Sequence, residues 1–269
     1  MENCLIDLHS HILPGLDDGS PDLETSLNMA RMAVADGIAA MACTPHILPG
    51  LYDNSPSDIR KRTQNFQQKL LGAQIPLQVV AGCDAHMRPD FIQGLKSDRI
   101  LTINKSRYVL FEPPHTVAPL RLEELLFSIM ASGFMPILTH PERLKWIETN
   151  FPVIERLSAA GVWMQITAGS LTGQFGQRPK YWAEKMLGFG MVHILATDAH
   201  NLTSRPPILS KAYDMACAAI GRGEAAHLVV TRPVNILDNE PIENSPPVLA
   251  TAGLPVEQVS AWRRWLKVG

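Results

Sequence analysis

An alternation is the feature that most constrains how this chain can fold. Seven short apolar runs, at residues 4–8, 38–43, 77–81, 108–111, 135–139, 162–167 and 192–197, are separated by amphipathic stretches of helical period. The pattern predicts parallel strands joined by crossover helices, because each helix keeps one polar face outward while the strands are buried beneath it. One helix is expected to open at Ser20 as N-cap, with Pro21 in its first turn, Asp22 and Glu24 suited to the positive end of its dipole, and Gly37 beyond its end. Further helices are expected near 57–72, 119–132, 151–160, 180–188 and 208–220.

Composition allows such a fold to stand on its own core. The chain has 269 residues, 46% hydrophobic and 19% charged, a globular balance at a length where α/β barrels commonly form one unit. A formal net charge of −2 provides no basic field to track a phosphate backbone, which argues against nucleic acid as the main partner. The opening MENCLIDLHSH lacks the apolar core of a leader, and no apolar run approaches bilayer length, so the expected location is the cytoplasm. Cys4, Cys43, Cys83 and Cys217 form no C-x-x-C pair and read as reduced thiols. None has an arginine six positions on, so a cysteine phosphatase loop of the C-x5-R kind is absent. The last thirty residues change character, with a Pro-rich stretch at 240–247 and a short amphipathic helix expected at 256–267. The expected division is a barrel over 1–239 and a tail over 240–269, its helix docking on the barrel or on a neighbouring subunit.

Side chains able to bind metal stand just past six of the seven runs. They are His9 and His11, then His46, then Asp84 and His86, then Glu112, then His140, then Asp198 and His200. Residues at so many strand ends converge only if the strands close into a barrel, whose active sites lie on the C-terminal rim. Imidazoles and carboxylates without a cysteine suit Mn²⁺, Fe²⁺ or Zn²⁺. Two ions a few ångströms apart need a bridging carboxylate, and such pairs can activate water while stabilising the leaving oxygen of an in-line displacement. Hydrolysis of a phosphate ester is the chemistry this points to. Other candidates read differently. His86 could supplement Asp84, His115 reads as a loop residue facing solvent, with lining of the pocket after Glu112 as the alternative, and His193 and His227 read as structural. Asp17 and Asp18 fit either an ordinary Asp-Asp-Gly turn or a role in placing water or a proton.

The segments H-S-H-I-L-P-G-L-D-D-G (9–19), T-P-H (44–46), E-P-P (112–114), T-H-P-E-R (139–143) and D-A-H-N (198–201), followed by Arg205, resemble the capsule-type protein-tyrosine phosphatases of the polymerase and histidinol phosphatase (PHP) superfamily. The likeness runs from residue 5 to about residue 210. It implies a distorted (β/α)7 barrel, PHP-like, with two or three divalent ions, manganese first and iron or zinc as alternatives, at the C-terminal strand ends. The implied activity is hydrolysis of phosphotyrosine on a tyrosine kinase of capsular or exopolysaccharide biosynthesis. Carried over by position, His9, His11, Glu112 and Asp198 would hold one ion, Glu112, Asp84 and His140 a second, and His46, His200 and Asp84 a third. Arg143 and Arg205 would grip the phosphate. The chain departs from the pattern at Asp84, where the family usually has Glu, and at Ile47, where it usually has a second His. A small-molecule phosphatase acting on a compound such as histidinol phosphate, or a metal-bound partner of a kinase without turnover, are the alternatives.

Overall fold

The computed structural model describes residues 4–240. Nine strands run along them: β1 (Leu5–Ser10), β2 (Ile38–Cys43), β3 (His46–Ile47), β4 (Gln78–Ala81), β5 (Asp84–His86), β6 (Tyr108–Glu112), β7 (Met135–Thr139), β8 (Trp163–Thr167) and β9 (Ile194–Ala196). All the strand pairings are parallel, in the orders β1-β2-β4 and β3-β5-β6-β7-β8-β9.

Seven passes of chain account for the nine strands. β3 and β5 prolong β2 and β4 after short breaks, and the register is kept: Cys43 pairs with Ala81, and three residues on His46 pairs with Asp84. The breaks fall at Thr44-Pro45, where a proline removes a ladder donor, and at Gly82-Cys83. These interruptions end the apolar runs, so the sequence places neither short strand. β5 then pairs with β6 as well, from Asp84↔Leu110 to His86↔Glu112.

The two sheets meet at the carboxyl ends of β1 and β9. The Asp198 amide donates to the His9 carbonyl at 2.8 Å, the His11 amide donates to the Ala199 carbonyl at 2.8 Å, and Ser10 and Ala199 form a parallel bridge. The sheets join at this rim while β4 and β6 remain unpaired with each other, so the barrel is distorted, as expected.

Alternation along the strands divides the core in two. Ile6, Leu8, Ala40, Val80, Leu110, Ile137, Trp163 and Ile194 belong to a small inner cluster, while Met41, Val109, Leu138, Met164 and Leu195 pack against the surrounding helices. Those helices span Leu23–Ala35, Pro56–Gly72, Leu122–Ala131, Ile147–Ala159, Gln177–Gly188 and Ser210–Ile220, each overlapping an expected one. The first is capped by Asp22, not Ser20: the Asp22 carboxylate accepts from the Thr25 amide at 2.8 Å, while Ser20 is buried and its hydroxyl donates to the Asp22 carbonyl. The fourth is two helical segments joined by a kink at Asn150 (φ −123°), with Pro152 in the first turn of the second, which matches the helix expected at 151–160. Helices at Phe91–Lys96 and Ala168–Leu171 are too short to show a period in the sequence, while Arg222–Ala226 and Arg232–Leu237 are joined through a π-helical turn at His227–Thr231 into one continuous helical stretch. The last inserts Ile236 into the inner cluster at the end of the barrel opposite the rim. Apart from Glu240, the Pro-rich stretch at 240–247 and the helix expected at 256–267 lie outside the described residues.

Candidate metal centre

Every metal-capable residue named from the strand ends reaches the rim where β1 and β9 meet. Beneath them Asp7 ties the two strands together: its carboxylate accepts from the His9 amide at 3.2 Å, from the Thr197 amide at 3.0 Å and from the Thr197 hydroxyl. Burial nonetheless pushes the Asp7 carboxyl up to about 6. Two rim residues have left-handed backbones, His140 (φ 36°) and Asp198 (φ 52°). Such backbones cost about 1–3 kcal/mol each and concentrate where a side chain must be aimed.

Three ligand-type atoms form a triangle of equal sides. His9 Nε2, His11 Nε2 and Asp198 Oδ1 are each 3.3 Å from the other two, and Asp84 Oδ2 lies 3.4 Å from His9 Nε2. Atoms held about 2.1 Å from a common ion lie about 3.0–3.4 Å from one another. The imidazole orientations match that use. His11 Nδ1 faces Asp17 Oδ2 at 2.6 Å, His9 Nδ1 faces Gln165 Oε1 at 2.8 Å, and His200 Nδ1 faces the Asp198 carbonyl at 2.9 Å. An acceptor at Nδ1 keeps a ring proton there and turns Nε2 toward the site.

Glu112 serves a second region. Its Oε2 lies 2.6 Å from His86 Nε2 and 3.4 Å from His46 Nδ1, and its Oε1 lies 2.9 Å from His115 Nε2 and 3.6 Å from His140 Nε2. Asp84 thus stands beside His9 and His46, and Glu112 among His46, His86, His115 and His140. His115, expected to face solvent, turns inward to Glu112, and His86 does the same from the end of β5. Asp18 stands 3.4 Å from His200 Nε2 and 3.6 Å from His46 Nε2, at the site's exposed edge. Asp17 accepts from the Gly19 amide within the turn, one of the two readings left open for it, and in addition orients His11. His193 is structural: it stacks on Trp163, its ring accepts from the Met164 amide at 3.2 Å, and burial pulls it down to about 3.

The chemistry of this donor set fits divalent cations. Both oxygens of the fully buried Asp84 carboxylate lack a hydrogen-bond partner. An ionised carboxylate so placed is costly without a compensating charge. Five carboxylates (Asp17, Asp18, Asp84, Glu112 and Asp198) face two guanidiniums, Arg143 and Arg205, leaving an excess of negative charge. That excess is felt by His11: burial opposes its protonation, yet the Asp17 and Asp198 carboxylates hold it up to about 10. Burial lowers His46 and His140, and it brings His200 down to about 4, so these imidazoles keep lone pairs at neutral pH.

Arg143 and Arg205 line the same rim, each donating to Asp198 Oδ2, the oxygen turned away from the triangle. The Arg143 guanidinium also lies over the Phe175 ring, 4.9 Å from its centroid. Gln165 and Phe175 escaped the sequence reading. A lone glutamine inside an apolar strand is the signal that could have found Gln165, whereas Phe175 offers no comparable signal.

Comparison with known proteins points the same way. The family model described as "Capsular polysaccharide synthesis, CpsB/CapC" matches residues 5–238. The tyrosine-protein phosphatase YwqE of Bacillus subtilis is 32% identical over 243 residues, covering 90% of this chain and 95% of that protein. A putative tyrosine-protein phosphatase CapC of Staphylococcus aureus is 30% identical over 210 residues, covering 78% and 82%. Among solved structures, one from work on YwqE of Bacillus subtilis and CpsB of Streptococcus pneumoniae, described as "unique metal-dependent tyrosine phosphatases", superposes with a TM-score of 0.86 at 32% identity, covering 91% of this chain and all of that one. A phosphotriesterase from Mycobacterium tuberculosis shares the fold alone, with a TM-score of 0.53 at 12% identity over 88% of this chain and 95% of that one.

Proposed function

Because the chain belongs to the CpsB/CapC family of capsular polysaccharide synthesis, we propose that it is a metal-dependent phosphatase hydrolysing phosphotyrosine on proteins. The observation that carries this reading is the double use of Asp198, one oxygen in the ligand triangle and the other held by two arginines. An oxyanion gripped by Arg143 and Arg205 then sits beside the atoms that hold the ions.

In this reading His9, His11, His46, Asp84, Glu112, His140, Asp198 and His200 hold two or three ions, manganese first. Bound divalent ions polarise a water and the leaving oxygen of an in-line displacement. Arg143 and Arg205 donate to the non-bridging phosphoryl oxygens, for which a planar guanidinium fork is suited. Asp198 holds both forks in place beforehand. Asp17 and Gln165 hold the imidazoles of His11 and His9. Cys43 and Cys83 supply no nucleophile, since burial raises them well above the usual thiol range. The proposed substrate is a tyrosine kinase of polysaccharide export, met in the cytoplasm; among the described residues no helix is long and apolar enough to cross a membrane. Residues 1–239 form the phosphatase domain and 240–269 a tail, so a chain ending at Glu240 retains turnover on a small aryl phosphate.

The test is hydrolysis of a phosphotyrosyl peptide, a phosphoseryl peptide and histidinol phosphate, before and after chelation with metal content measured. Turnover that prefers the phosphotyrosyl peptide, vanishes on chelation and returns with Mn²⁺ is expected. Turnover that survives verified metal loss overturns the metal-dependent reading, and preference for histidinol phosphate overturns the protein substrate.

A further inference from the structure

β8 is the one pass of the barrel whose end brings no imidazole or carboxylate to the rim, yet its side chains alternate inward like the others. Trp163 belongs to the inner cluster, and two residues on Gln165 is fully buried, with Oε1 2.8 Å from His9 Nδ1. The residue is fixed from both sides, pairing with Thr139 of β7 and Ile194 of β9, while its carbonyl accepts from the His140 amide at 2.8 Å. An amide oxygen can only accept, so the proton of a neutral His9 ring resides on Nδ1. The Nε2 lone pair then points at His11 Nε2 and Asp198 Oδ1, both 3.3 Å away. The opposite amide orientation would donate to Nδ1 and drive the ring proton onto Nε2, into the triangle.

We propose that Gln165 is a positioning residue that sets the tautomer and orientation of His9 and thereby the metal affinity of the rim. The inference rests on reading the rim as a metal centre and assigns the residue that prepares one of its ligands. A neutral amide in this place differs from the carboxylate of Asp17 that orients His11, so the two imidazoles are tuned by unlike partners.

Two measurements other than activity test it. Mn²⁺ affinity by calorimetric titration should weaken about 10- to 100-fold in Gln165→Leu, the usual effect of losing a partner behind a ligating histidine. Gln165→Glu keeps an acceptor at the same reach and should stay within a few-fold of wild type. Gln165→Asn, which withdraws the carbonyl by one methylene, should weaken binding even if the leucine variant does not fold. In Zn²⁺-loaded protein, nitrogen-15 spectra should show His9 protonated at Nδ1, with that proton exchanging faster in Gln165→Asn. Wild-type affinity in the leucine and asparagine variants, with only their metal-free melting temperature lowered, would make Gln165 a packing residue and overturn the assignment alone. A wild-type protein that binds no metal would overturn the reading of the rim and this assignment with it.

Discussion

Arg143 Nη1 lies 2.5 Å from Asp198 Oδ2, joining the turn after β7 to the end of β9. Arg205 Nη2 reaches the same oxygen at 2.5 Å, from a turn closed by the Asn201 side chain accepting from the Ser204 and Arg205 amides. Two cations on one carboxylate oxygen are an arrangement prepared for an anion, since an arriving oxyanion meets donors already held in place.

Removing either arginine should therefore weaken phosphate recognition. Arg143→Ala and Arg205→Ala should each lose a charged hydrogen bond of about 1.5–3 kcal/mol, roughly a 10- to 150-fold fall in kcat/KM. Metal content should hold, because Asp198 Oδ1 still faces His9 and His11. Lysine should rescue only in part, keeping the charge without the fork. Steady-state kinetics with metal analysis checks this, and unchanged kcat/KM in both variants removes the clamp.

Glu112→Gln should keep the fold and lose at least one ion. The substitution preserves shape but removes the charge that faces His46, His86, His115 and His140. Metal stoichiometry on purified protein decides the matter. Full occupancy with wild-type turnover would show that the carboxylate is not a ligand.

Asp17→Asn should weaken metal binding about 10-fold or more, because the His11 ring loses an anionic partner at Nδ1. The same oxygen accepts from the His46 amide at 2.9 Å, so the loop bearing His46 should also loosen. Calorimetric titration with Mn²⁺ provides the measure, and an affinity equal to wild type would reduce Asp17 to a turn residue.

His193 predicts a loss of stability in acid that has nothing to do with metal. Burial, aided by Arg232, lowers its folded-state value from 6.5 to about 3. Above pH 6.5 the ring is neutral in both states and no stability is lost. As pH falls from 6.5 toward 3 the unfolded chain takes up a proton that the folded chain does not, which removes up to about 5 kcal/mol at 1.36 kcal/mol per unit. Denaturant melts of metal-free protein between pH 7 and 4 should show this decline, and it should be shallower in His193→Asn. Equal slopes in the two proteins would exclude His193 as its source.

The periodicity of the chain was enough to read seven parallel passes, two of them, Ile38–Cys43 and Met135–Thr139, with the bounds they have in the structure. It was enough because a buried strand must be apolar over its whole length and a crossover helix over one face, and both demands are local. The rim residues were legible for the same reason: polar side chains that end apolar runs stand out. β3 and β5 lie beyond the breaks that end their apolar runs, so they appear only through pairing, β3 with β5 and β5 with β6.

Which rim residues meet was decided by the tertiary structure alone. His9 and Asp198 are far apart in the chain and are joined by closure of β1 on β9, which Asp7 and Thr197 secure from below. His115 stayed open between solvent and pocket because loop position favours solvent, while its contact with Glu112 depends on how the segment after β6 folds back. Gln165 was overlooked because an amide carries no charge and titrates nothing, so its chemistry exists only through the imidazole that the barrel sets against it. Residue type and strand period are written along one dimension; the partner of each donor and acceptor is set by distance in three, and the closed sheet fixes that distance.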